Sequence, residues 1–354
     1  MNDFTLEYYL PLLPIITWII IIIVIIVKAI SSSKNEKQKK QRILNTYPET
    51  IKKYYNILNN DPTLNEKRIK NKKLKKRGTI LMILGILSFP LQAIIANQII
   101  MLYFIYTLST IPIILCGFGI ANLYEASKIA NEYEQHYKLN IMKKAIKEYN
   151  PNLEYFPNGS ILEPFYRQAH FENYDRYHSE DKITGTINNN EFVMADVHVQ
   201  DKRKDSDGNT YYVTLFRGPV AITTLPEYVN LNLSIVNNKL TTRYDSAPKI
   251  EIDNLIFEDV YDIFSNDQIT AMRILTPAIT NKILDLYRKY DFKFEVKIQN
   301  NLLFFRFHCG QLFVPNIKDI EDEVINITQY FEILNGIEEM MTEFMKAIEF
   351  LKNK

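Results

Sequence analysis

The stretch Lys70–Pro90, "KNKKLKKRGTILMILGILSFP", packs six cations into eight residues and then continues without a charge. A lysine cluster beside an apolar run is first of all a topology signal, because the Lys/Arg bias of short loops sets membrane orientation. Arg77 and Glu125 bracket 47 uncharged residues. One crossing of a bilayer needs about 20 residues of helix. Residues 78–122 are therefore predicted to form a transmembrane hairpin, with spans near Thr79–Ala96 and Ile99–Ala121. Asn97-Gln98 is the expected turn, and Pro90 and Pro112 the expected kinks.

A third apolar segment lies upstream. Between Glu7 and Lys28 stand twenty uncharged residues, "YYLPLLPIITWIIIIIVIIV". The stretch has no cationic amino-terminal flank and no small-residue cleavage site, so it reads as a retained span, about residues 8–30 within 1–30, rather than a signal peptide. The intervening loop, residues 31–77, carries fifteen Lys or Arg against four acidic residues, net +11, while the chain from Gly78 onward is net −9. The overall charge of +1 hides this asymmetry. Three spans with a basic first loop predict a multi-pass protein of the cell membrane, with the amino terminus outside and everything beyond residue 122 in the cytoplasm. Lys70, Lys72, Lys73, Lys75, Lys76 and Arg77 are the candidate contacts to anionic lipid headgroups, at about 1 kcal/mol each near the surface. The plainer reading of the same residues is a solvated helix face.

Past the spans, Leu123, Ala126, Ala130, Tyr133, Tyr137, Ile141, Ala145 and Tyr149 recur at steps of three and four. Residues 123–150 thus form a helical stalk ending at Asn150-Pro151. Ile43, Tyr47, Ile51, Tyr54 and Leu58 in the basic loop follow a similar rhythm and are expected to pack beside it. Residues 151–316 then read as an antiparallel α+β domain, opening with a linker that contains Pro157, Gly159 and Pro164. Strands are expected at 182–187, 191–202, 210–225, 231–236, 249–257, 292–298 and 302–308. Asn188-Asn189-Asn190, Asp205–Asn209 and Gln299-Asn300-Asn301 are the hairpin turns. Ser265 with Gln268 predicts a capping box, and Thr276-Pro277 the start of a second helix. The tail, 317–354, is an amphipathic helix whose phase slips at Gly336, where a break is expected. It packs on its own domain or, alternatively, self-associates as a coiled coil.

Two blocks carry a resemblance. "SNDQITAMRILTP", with "FEDVYDIF" before it, and the segment from His178 through the Phe216-Arg217-Gly218 turn to Ile222 resemble a family of bacterial membrane proteins of unknown function, the domain of unknown function family 3137. The likeness runs from about His178 to Val314, with the paired spans. It implies a membrane-anchored domain and supplies no catalytic residues.

The residues themselves supply none either. The five histidines are scattered. His308 and Cys309 are strand neighbours and point to opposite faces, whereas Asp196 and His198 share a face that is expected to be solvated. Asp205, Asp207 and Asn209 mimic the start of a calcium loop, but its sixth and twelfth positions are Thr210 and Phe216, so a hairpin is expected. The acidic cluster Glu251, Asp253, Glu258, Asp259 and Asp262 would need burial to do acid–base work. Cys116 and Cys309 are not expected to pair. Twenty-three tyrosines could stack bases, but the acidic domain repels phosphate, so nucleic acid is excluded as a partner. No cofactor or metal is expected. The fold class is thus α+β, with three transmembrane helices, a cytoplasmic antiparallel sheet with packed helices, and a long C-terminal helix. The function expected is a membrane-anchored adaptor or regulator that binds a protein, a lipid or a second copy through the C-terminal helix. A tethered enzyme with an unrecognised site is the alternative.

Overall fold

A computed structural model describes residues 45, 48–96, 102–225, 231–240, 247–290 and 293–352. The first expected span, the Asn97-Gln98 turn, Ile43 and Tyr47 lie outside the described residues.

Helix α1 (Pro48–Asn60) leads into two 35-residue helices, α2 (Pro62–Ala96) and α3 (Leu102–His136), which pack side by side. Pro90 and Pro112 both sit inside these helices. The stalk continues α3 through a single π segment, Tyr137–Met142, into α4 (Lys143–Tyr149), and Asn150 ends it in extended conformation. Its expected inner face holds: Ala126, Tyr133, Tyr137, Ile141 and Ala145 are buried. The π segment adds a residue to one turn and turns Lys138 inward as well.

The remainder is α+β, with one nine-stranded antiparallel sheet in the order β1-β2-β3-β4-β9-β8-β5-β7-β6. The strands are β1 (Leu153–Phe156), β2 (Arg176–Ile187), β3 (Asn190–Lys204), β4 (Thr210–Thr224), β5 (Leu233–Asn237), β6 (Lys249–Ile250), β7 (Tyr261–Ser265), β8 (Lys293–Gln299) and β9 (Leu302–His308). Helices α5 (Glu163–Arg167), α6 (Leu255–Glu258), α7 (Gln268–Ile274), α8 (Pro277–Tyr290) and the long α9 (Ile320–Lys352) complete it. The asparagine turns form as expected. Asn188 and Asn189 (φ 50° and 62°) join β2 to β3, and Asn300 and Asn301 (φ 53° and 62°) join β8 to β9. Both are two-residue loops in which each central residue takes positive φ, a conformation asparagine tolerates.

Helix α9 lies along the sheet. Val324, Ile327, Phe331, Leu334, Ile337, Met341, Phe344 and Ile348 are buried in the main core, as are Met340 and Met345. Helix α1 covers it from the other side, with Tyr54 stacked on Phe331 at 5.5 Å. The basic loop thus packs on α9 as well as on the stalk.

Five local expectations are corrected. Gly336 does not break α9, because it is a packing position: a Cβ there would stand 2.6 Å from Leu286 Cδ2 of α8. The cap of α7 is Asp267, whose carboxylate accepts from Thr270 N, while Ser265 closes β7. The strand expected over 249–257 stops at Ile250, because Asn254 caps the helical turn α6. Phe216–Gly218 lies inside β4 rather than in a turn; Gly218 is needed because a Cβ would meet Phe307 O at 2.1 Å. The expected linker after Pro151 contains β1 and α5.

Candidate functional site: the junction of hairpin, stalk and sheet

The upper hairpin is held by small residues. A Cβ on Gly85 would meet Cys116 Sγ at 2.5 Å, and Gly78 and Gly119 approach each other's backbones. Ile83, Leu84, Ile86, Leu87, Ile113, Ile114, Phe118 and Ile120 are exposed around this pair. Close small-residue contacts with large apolar side chains turned outward are the pattern of helices packed in lipid. Among the described residues, one helical run, Thr110–Tyr149, is long and apolar enough to cross a membrane, and most of its apolar window is not buried in the protein.

Directly below Gly78 stand the sequence-selected cations. Lys70, Lys72, Lys73, Lys76 and Arg77 are exposed and Lys75 is half-buried. Helix α2 distributes them around two of its turns rather than gathering them into one pocket.

Below this belt the charges turn inward. Arg68 of α2 donates to Tyr133 OH at 2.6 Å and to Glu323 Oε2 of α9 at 3.0 Å; Tyr133 donates to the same Glu323 oxygen. Glu323 has no solvent exposure. Burial pushes its carboxyl up to about 7, although Tyr133 and Arg68 pull it down. The clamp is flanked by Lys67–Glu132 at 2.6 Å and His136–Asp61 at 3.1 Å.

One turn deeper, Lys138 reaches Asp181 at 2.8 Å. Two irregularities aim these side chains. Lys138 sits in the π segment, and Asp181 sits in a bulge of β2 between Glu180 and Ile183, at φ 60°. Burial opposes the charge on Lys138, but Asp181 and Glu134 hold its pKa above the ordinary lysine value. Burial raises Asp181, against the pull of Lys138 and Tyr155. Asp196 lies behind it and is buried, not solvated as its strand pattern implied. It accepts from Leu312 N at 3.0 Å, and burial raises it to about 7. His198, two residues on, bonds Thr214 Oγ1 at 2.9 Å.

The opposite side of the sheet holds a second ionic centre. Arg306, 1% exposed, binds Glu172, Glu295 and the Tyr166 hydroxyl. Burial opposes ionisation of Glu295, but Arg306 and His308 outweigh it and hold its pKa at about 2. A cleft of about 680 Å³ opens above it, lined by Arg167, His170, Tyr174 and Gln299 among others. An apolar groove of about 540 Å³ runs past Ile161, Phe165, Val193, Ile222 and Leu302. Of the acidic cluster, Asp262 is buried and paired with Lys249 at 2.7 Å; Glu251, Asp253 and Asp259 are exposed. Cys116 and Cys309 are not disulfide-bonded. No group of three metal-ligating side chains converges among the described residues.

Sequence reasoning missed the inward charges. Neither Arg68 nor Lys138 is marked by the sequence: Lys138 follows Tyr137 of the stalk rhythm, while Ile69 beside Arg68 is exposed and gives no hint.

Residues 214–346 match the model of a family described as protein of unknown function (DUF3137). The match begins inside β4 and ends in α9, so of the first resembling block only the part from Thr214 falls within it. No curated protein matches the sequence. Among solved structures, the crystal structure of the mycobacterial trehalose monomycolate transport factor A, TtfA, is similar over 56% of this chain and 96% of that one, at 8% identity and a TM-score of 0.29. At that distance the likeness says nothing of what this chain does.

Proposed function

From a chain that carries a domain of the DUF3137 family over residues 214–346, we propose a multi-pass membrane protein whose cytoplasmic α+β domain serves as a binding or regulatory adaptor. The observation that carries this reading is the abrupt change along the α2–α3 pair. Above Gly78 the surface is large and apolar; below it come a cationic belt and then a core crossed by ion pairs. In this reading the hairpin spans the bilayer, residues 8–30 add a third span with the amino terminus outside, and the belt Lys70–Arg77 touches anionic headgroups. Two features support binding over catalysis. The Arg306 centre is paired with its own carboxylates, and the open surfaces are an apolar groove and a cleft of mixed polar and apolar lining. A protein partner, or a second copy engaged through α9, would be read from these surfaces.

The test is a pair of reporters, one active only in the cytoplasm and one only outside, each fused after Lys354. Cytoplasmic activity alone is expected. Activity only outside overturns the topology, and with it the adaptor reading.

A further inference from the structure

Four contacts fix the direction of every layer against the hairpin. Tyr133 meets Glu323, Lys138 meets Asp181, Tyr149 meets Glu338 at 2.9 Å, and Asn188 meets Thr342 at 2.8 Å. Going down the stalk away from Gly78, α9 and β2 are therefore read in rising residue number. Strand β3 is antiparallel to β2, so beyond Asp196 it runs back toward the hairpin.

It runs far. From Asp196 to Lys204, eight residues of strand cover about 26 Å. From Lys138 to Leu123, at the mouth of the apolar hairpin, fifteen residues of helix cover about 22 Å. The two lengths are comparable, so with strand and stalk parallel the tip of the β3–β4 hairpin comes near the level at which the apolar surface begins, less the bend at the bulge between Val199 and Gln200.

Beyond the contacts of Asp175 with Lys202 N and of Arg176 with Tyr212 at its base, this tip has no strand beside it. Strand β2 pairs with β3 only as far as Arg176↔Gln200, and β9 pairs with β4 only over Val220–Thr224. From Asp201 to Val213 the protein is a two-stranded ribbon, a form that is marginal in water when it has nothing to pack on. Its surface is amphipathic in the manner of a headgroup-layer contact. Tyr211 is 47% exposed and shares its face with Arg203, directly across the ladder, while the exposed Lys202 and Lys204 stand on the ribbon's other face. Arg176 lies 3.3 Å from the centre of the Tyr212 ring. Asp205 accepts from Asp207 N and Asn209 N, and Asp201 pairs with Arg203; the turn itself keeps the negative charges of Asp205 and Asp207, so the cations that face lipid are those of the strands behind it.

We infer that the β3–β4 ribbon is a second membrane contact, a foot that sets Tyr211 in the headgroup layer of the cytoplasmic leaflet with Lys202 and Lys204 reaching lipid phosphates. Tyrosine favours the membrane–water interface, and lysine can keep its stem in the apolar side of that layer while its ammonium meets phosphate. The inference rests on the topology proposed above. It adds that the domain leans on the bilayer at a point separate from its anchor, which fixes its tilt.

Trp18 is the chain's one tryptophan. The full chain carrying Trp18→Phe and Tyr211→Trp is reconstituted in phosphatidylethanolamine–phosphatidylglycerol vesicles doped with a lipid bearing a nitroxide on its headgroup. The reference is Trp18→Phe with Phe350→Trp, an exposed position at the far end of α9. Quenching several-fold stronger at position 211 than at 350 is expected. Equal quenching at the two positions overturns the foot, and if the reporter after Lys354 is cytoplasmic in the same protein, the topology survives that result. An external reporter overturns the topology itself, whatever the quenching.

Discussion

Glu323 is a buried carboxyl, held toward its neutral form by burial, that sequence patterning hides. It lies between Arg68 and Tyr133 with one carboxylate oxygen shared by both and the other, Oε1, without a hydrogen-bond partner. Its pKa rises from an ordinary 4.5 to about 7 in the fold. A raised carboxyl favours the protonated state in the folded protein, so its contribution is complete below about 4.5 and is lost as pH climbs through about 7. Glu323→Gln holds the neutral form at every pH. It should flatten the fall in stability between these values, a difference of up to about 3 kcal/mol. Thermal unfolding of wild type and variant in micelles across that range is the measurement; parallel curves would remove Glu323 as the titrating group. Asp196 is raised in the same direction, so a residual slope in the variant is expected from it. Arg306 differs: its carboxylates are fully used, and truncating it would strand two buried charges, at a cost of about 3–5 kcal/mol.

At the scale of the element, the paired helices depend on which glycines meet. Gly85 is pressed against Cys116 and the Pro112 carbonyl, whereas a Cβ on Gly117 would meet nothing within 4 Å. Gly85→Leu should therefore force the helices apart and lower stability by about 1–3 kcal/mol, as overpacking does. Gly117→Leu should leave it unchanged or slightly higher, since glycine is a poor helix former. Melting both variants in one detergent decides it, and equal losses would refute the pairing. The same contrast explains what sequence made legible. Asparagine turns, the Thr276-Pro277 start, the stalk rhythm and the apolar stripe of α9 are local patterns, and they formed as read. Gly336 and Asp196 were misread, and the Lys138–Asp181 pair was not foreseen, because their roles come from a neighbour distant in the chain: Leu286, a loop amide or a bulged strand. No periodicity encodes a π turn or a β-bulge. The two-residue β6 failed for a related reason, since the Asn254 cap outcompeted a β-rich run.

Across the whole molecule, the stalk, α9 and β2 advance side by side from the hairpin, and the buried clamps at Arg68 and Lys138 tie them to it. In the proposed topology, a turn of the hairpin in the bilayer would pass to the sheet without a loose linker between them. In that topology the cationic belt would do more than orient the chain, because the side on which it stays is the side on which this entire body must fold. Reversing Lys72, Lys73, Lys75 and Lys76 to glutamate changes the belt by eight charges while leaving the Arg68 clamp in place. The loop from 31 to 77 would pass from net +11 to +3. The expected outcome is a mixed population in which a tag after Lys354 becomes sensitive to protease added outside the cell, against none in the wild type. Identical protection in both proteins would mean that the belt does not set orientation. Its six cations would then owe their place to the headgroups or to solvent, and the first span would have to hold the topology alone.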